Sequence, residues 1–74
     1  QLVLAIGEQQ MSVKEMMEAL SLKGRDNFLK VYLNPAIDEQ YVRLLYLNSP
    51  RHPRQKYLLT VKGLALYNKI LQNK

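Results

Sequence analysis

Apolar positions fall into a helical rhythm three times and an alternating rhythm twice along this chain. Leu2, Val3, Ala5 and Ile6 form an apolar run that stops at Gly7, which reads as the C-terminal cap of a first helix. Gln9, Gln10 and Met11 follow as a short extended link. Ser12-Val13-Lys14-Glu15 is a capping box opening a second helix, with Val13, Met16, Met17 and Leu20 at core spacing. Lys14, Glu15 and Glu18 then take its solvent side. Two adjacent methionines can form an adaptable binding surface, but this spacing favours core filling. Leu20 to Gly24 makes the next turn, with Leu22 expected to tuck inward.

The stretch Arg25–Glu39 (RDNFLKVYLNPAIDE) predicts a third, longer helix, around which the rest is organised. Phe28, Val31, Tyr32 and Ala36 form its expected buried stripe, widened by Leu29, Leu33 and Ile37. Asp26 or Asn27 is the expected cap. Pro35 lacks an N–H and disfavours helical geometry at Asn34, which predicts a kink or a break into two short helices. From Tyr41 to Leu47, Val42, Leu44 and Tyr46 alternate with Arg43, Leu45 and Leu47, as in a strand. Asn48 to Arg54 is polar, contains Pro50 and Pro53, and cannot be a strand interior. Extended character resumes from Gln55 to Thr60, which completes a hairpin with a long basic tip. Thr60 then caps a last helix from Val61 to about Gln72, with Leu64, Tyr67, Ile70 and Leu71 inward. Gly63 falls in its first turn, where the helix penalty of glycine is small.

That order of elements is the outline of an α+β, mostly helical winged helix-turn-helix: three helices, a two-stranded wing hairpin and a C-terminal helix. The chain has 74 residues, which predicts one domain spanning 1–74, near the lower size for a self-sufficient core. Gln1 is not an initiating methionine and apolar residues begin at Leu2, so the chain reads as a piece excised from a larger protein.

Charge changes the picture. Through Glu39, four basic residues (Lys14, Lys23, Arg25, Lys30) meet six acidic ones (Glu8, Glu15, Glu18, Asp26, Asp38, Glu39), leaving −2. From Gln40 onward, Arg43, Arg51, Arg54, Lys56, Lys62, Lys69 and Lys74 have no acidic counterpart, giving +7 and a net of +5. This asymmetry points to a side facing a polyanion, although a solvated surface would have the same composition.

Catalysis is not expected. The chain has no cysteine, one histidine and no glycine-rich phosphate loop, so no cofactor, metal site or small-molecule substrate is expected. The adjacent carboxylates Asp38 and Glu39 fit helix-end solubility. No apolar run is long enough to span a bilayer, and a cytoplasmic location without a membrane partner is expected.

Asn27-Phe28, Tyr32-Leu33, Pro35-Ala36, Pro53, Gln55-Lys56-Tyr57 and Leu59-Thr60-Val61-Lys62-Gly63 carry a resemblance over about Met11 to Gly63. The chain resembles the C-terminal winged-helix domain of Fic-family proteins, shared with RecG-like ATP-binding transcriptional regulators. The resemblance implies a winged helix attached to a larger bacterial protein. The glycine-rich histidine loop that carries nucleotide transfer in Fic proteins is absent, since His52 lies between Pro50 and Pro53. Gln40 departs from the family, which more often has glycine or a small residue there.

Two functional readings follow. In the first, the domain binds double-stranded DNA as a transcription regulator. Its third helix enters the major groove with Arg25, Asn27 and Lys30, while the wing meets the backbone or minor groove with Arg51, His52, Arg54, Gln55 and Lys56. Asp26 is the unfavourable charge on that surface, and Leu29 is expected to be partly exposed beside it. In the second, the domain is a protein-interaction or homodimerisation module using Tyr41, Tyr46, Tyr57 and Tyr67.

Overall fold

A computed structural model describes residues 2–72. Helices α1 (Leu2–Ile6) and α2 (Val13–Ala19) lead into α3 (Arg25–Phe28), a π-helical turn (Leu29–Leu33) and α4 (Asn34–Asp38). Strands β1 (Val42–Leu44) and β2 (Tyr57–Leu59) then form an antiparallel hairpin, and α5 (Val61–Gln72) closes the chain. The result is a small, mostly helical α+β fold with one two-stranded sheet, compatible with the winged-helix outline. Leu2, Val3, Ile6, Val13, Met16, Phe28, Leu33, Val42 and Leu59 form its core.

Local chemistry accounts for most boundaries. Gly7 ends α1 with φ +55°, a conformation that costs glycine little, and the Tyr67 ring packs against its face. The capping box is present in both directions: the Glu15 N–H donates to Ser12 Oγ at 3.1 Å and the Ser12 N–H donates to Glu15 Oε1 at 2.9 Å. Helix α2 ends in a Schellman motif at Ser21, and Leu22 packs inward against the core as its hydrophobic contact. Met11 pairs with Tyr57 through two backbone hydrogen bonds of 3.0 and 2.7 Å, giving the sheet a one-residue third edge.

The third helix departs from expectation in an instructive way. It neither breaks nor leaves helical geometry at Asn34, whose φ and ψ are −60° and −43°. Instead the ladder widens by one residue before the proline, and the Asn34 N–H bonds the Leu29 carbonyl five residues back. A proline inside a regular helix clashes with the carbonyl four residues earlier, at a cost of about 3 kcal/mol. Widening the turn is how this chain carries Pro35 within one continuous helical run. The same widening shifts the buried stripe: Phe28 is 0% and Leu33 1% exposed, five residues apart, while Val31 is 53% exposed and Tyr32 lies at the edge. Neither Asp26 nor Asn27 caps this helix; Gly24 occupies the cap position without a side-chain bond.

At the far end of α4, the Gln40 N–H bonds the Ile37 carbonyl and the Tyr41 N–H bonds the Ala36 carbonyl, both at 2.9 Å. This Schellman motif holds Gln40 at φ +65°, which explains why glycine suits the position. Gln40→Gly is therefore expected to raise stability by roughly 0.5–1 kcal/mol, the relief of left-handed strain outweighing the added freedom of the unfolded chain. A urea titration checks the sign.

The strands are shorter than the alternating pattern suggests, and Tyr46 and Leu47 lie outside β1 and exposed. Thr60 caps α5 as expected: its hydroxyl accepts the Gly63 N–H at 3.0 Å and donates to the Gln40 carbonyl. On α5, Leu64, Leu66 and Tyr67 pack on the core and Ile70 is half-buried, whereas Leu71 is exposed.

Candidate nucleic-acid interface

The basic loop between the strands is an ordered structure organised by one side chain. The Gln55 carboxamide behaves like an extra peptide unit: its Oε1 accepts the Tyr46 N–H at 2.9 Å, and its Nε2 donates to the Tyr46 carbonyl at 3.0 Å. Nε2 also reaches the Ser49 carbonyl at 3.1 Å. The side chain thus continues the strand pairing where the Gln55 backbone N–H is spent on the His52 carbonyl at 3.0 Å. His52 stacks on Tyr46 with ring centroids 4.0 Å apart, and its Nδ1 accepts the Arg54 N–H at 2.9 Å. Gln55→Ala should cost about 1–2 kcal/mol through the lost hydrogen bonds. Faster amide hydrogen exchange confined to residues 46–55 is the expected signature.

Lys56 is also committed elsewhere. Its Nζ lies 2.7 Å from Glu15 Oε1, tying the start of β2 to the first turn of α2. This hydrogen bond, followed by those from the Ser12 backbone and hydroxyl, holds the Glu15 pKa at about 2, below its ordinary value of 4.5. A depressed carboxylate contributes stability that is fully present above the ordinary value and is lost as pH falls toward about 2. Thermal melts between those limits should therefore show an acid-dependent loss that is smaller in Glu15→Gln.

Three distant segments meet at one open groove of about 460 Å³. Lys14 comes from α2, Arg25 from the start of α3, and Arg51 and His52 from the hairpin loop; no carboxylate lines it. Among the described residues, no Asp or Glu is within ion-pair distance of Lys14, Arg25, Arg51 or Arg54. Asn27 and Lys30 sit on the exposed side of the same helical run, and Arg54 is exposed on the loop. Among the sequence-derived candidates, Arg25, Arg51, His52 and Gln55 line the groove, with the Gln55 amide turned to the loop backbone. Leu29 is half-buried and packs against the core.

Residues 1–60 match the family described as Filamentation induced by cAMP protein Fic-like, C-terminal domain. The crystal structure of a Fic family protein from Desulfovibrio desulfuricans G20 superimposes with a TM-score of 0.79 at 42% identity, over 84% of this chain. The chain belongs to the Fic-like C-terminal domain family. The alignment covers 19% of the Desulfovibrio protein, so the domain corresponds to about a fifth of that chain. No functionally curated protein is similar to it.

Within this Fic-like C-terminal domain, Lys14 is the groove residue that sequence reading assigned only to solvent. The available signal was its place next to the Ser12 cap, on the helix preceding the long one. The tyrosines proposed for an interface are largely engaged internally. Tyr41 lies under Lys62 Nζ at 4.5 Å from its ring centroid, Tyr46 stacks on His52, and Tyr57 and Tyr67 pack on the core.

Proposed function

We propose that this Fic-like C-terminal domain is a winged helix that binds double-stranded DNA, as the DNA-binding part of a larger bacterial regulator. The helical run from Arg25 enters the major groove, and the loop between β1 and β2 acts as the wing against the phosphate backbone. The observation that carries this reading is the convergence of Lys14, Arg25, Arg51 and His52 on one concave surface free of carboxylates. Lys56 supports it indirectly, by offsetting the charge of the nearby Glu15. Arg54, Asn27 and Lys30 extend the contact surface on either side.

Fluorescence anisotropy of a labelled mixed-sequence duplex, titrated with the domain at several salt concentrations, tests the reading. A log–log salt slope on the order of −3 to −6 is expected from a handful of phosphate contacts. Absence of binding at low salt by the folded domain would overturn it. A second reading, docking to another domain or a second copy, draws on the exposed Leu47, Val61 and Leu71 and on the match to one-fifth of a larger chain. A concentration-dependent mass without DNA affinity is the outcome that favours it.

A further inference from the structure

The π-helical turn does more than accommodate Pro35: it changes which residues the long helical run presents outward. In a regular helix with Phe28 buried, Tyr32 follows it into the core four residues later. Here Leu33 takes that place, and Val31 turns to solvent among the exposed Asn27, Lys30 and Asn34. An exposed β-branched residue disfavours the helix slightly and adds nothing to the core. The widened turn that carries Pro35 leaves Val31 on the outward face, where its apolar side chain is available to a partner.

We propose that Val31 and Asn34 are sequence-reading residues, a role that rests on the DNA-binding reading and deepens it. In the major groove, adenine presents N7 as an acceptor and N6 as a donor, which a carboxamide matches with two hydrogen bonds. Thymine presents a C5 methyl group, which is read by apolar contact. Asn34 is the carboxamide and Val31 the apolar contact. Val31 and Asn34 stand three residues apart across the end of the π-helical turn, both exposed. The two side chains therefore address nearby base pairs, and the preferred site contains an adenine close to a contacted thymine. Lys30, beside Val31, is suited to guanine O6 and N7 or to a phosphate, and Asn27 lies one turn toward the groove end of the helix.

Selection of bound duplexes from a randomised pool tests this, run with the intact domain, Val31→Ala and Asn34→Ala. Both positions are exposed, so both variants should melt close to the unsubstituted domain, which thermal unfolding verifies. The intact domain is expected to enrich an adenine with a thymine close by. Asn34→Ala should lose the adenine preference by about tenfold or more, and Val31→Ala should lose the thymine preference by a smaller factor. Both should keep the salt slope, because neither side chain meets a phosphate. Variants that select the same sequences as the intact domain would overturn the inference. So would salt-dependent binding without sequence preference, which leaves the backbone-binding reading standing. Failure to bind any duplex would overturn both.

Discussion

Replacing Gly63 with alanine is expected to lower the unfolding midpoint of the domain by about 15 °C or more, the equivalent of about 3 kcal/mol for a chain of this size. Helix propensity alone gives the opposite sign. Alanine is favoured over glycine within a helix by about 1 kcal/mol, so a reading of α5 in isolation makes the substitution stabilising. Packing decides otherwise. A Cβ on Gly63 would overlap the Tyr41 carbonyl oxygen and lie 3.2 Å from Leu59 Cβ. The oxygen belongs to backbone that is already fixed, since it accepts the Thr60 N–H at 3.0 Å. Relief requires α5 to move off the sheet, loosening the Thr60 cap and the contact with Leu59. Overpacking costs of about 1–3 kcal/mol are typical where a side chain can shift, and backbone cannot shift as readily. Differential scanning calorimetry of Gly63→Ala beside Ala65→Gly on the exposed side of α5 separates the two effects. The second variant should lose only about 1 kcal/mol. Stabilisation by Gly63→Ala would show that α5 does not approach the Tyr41 backbone so closely.

Reversing the two loop arginines is expected to abolish most duplex binding. Arg51→Glu with Arg54→Glu removes two cations and adds two anions at the surface assigned to phosphate. Each lost phosphate contact reduces the salt slope by about one, so the slope should fall by about two and the affinity by at least 100-fold at moderate salt. Lys56 is left in place, because its bond to Glu15 ties β2 to α2 and its reversal would confuse binding with folding. Arg51 and Arg54 are exposed and have no ion-pair partner among the described residues, so the double variant should retain its melting temperature. Unchanged affinity in this folded variant would remove the loop from the interface.

The parts of the fold legible in the sequence are those set by chemistry within a few residues. Gly7 as a stop, Ser12 with Glu15 as a start and Thr60 as a cap each depend on a backbone bond to a near neighbour. The long helix misled the periodicity because a fixed repeat of 3.6 residues has no place for a widened turn. The periodicity centres the stripe on Val31 and Tyr32 and leaves Leu33 at its edge, whereas Leu33 is fully buried, Tyr32 lies at the edge stacked on Phe28, and Val31 faces outward. Strand lengths were overestimated because alternation continues to Leu47, while Gln55 takes over the pairing at Tyr46 with its side chain. Such a substitution of amide for backbone has no pattern in sequence.

The candidate site was legible as a charge imbalance, and Arg25 and Arg51 do reach one groove. Its internal division of labour was not. Nothing in the sequence pairs Lys56 with Glu15, 41 positions away, or turns Gln55 toward its own loop. The requirement for Gly63 is tertiary as well, because the clashing carbonyl belongs to Tyr41 in a different element.

The most direct measurement is amide NMR of the labelled domain during titration with a short duplex. Shifts concentrated at Lys14, Arg25 to Asn34 and Ser49 to Arg54 are the expected result, because those residues border the groove and the outward face of the long helix. Shifts confined to α5 and Leu47, or none with the duplex in excess at low salt, would contradict DNA binding through this surface.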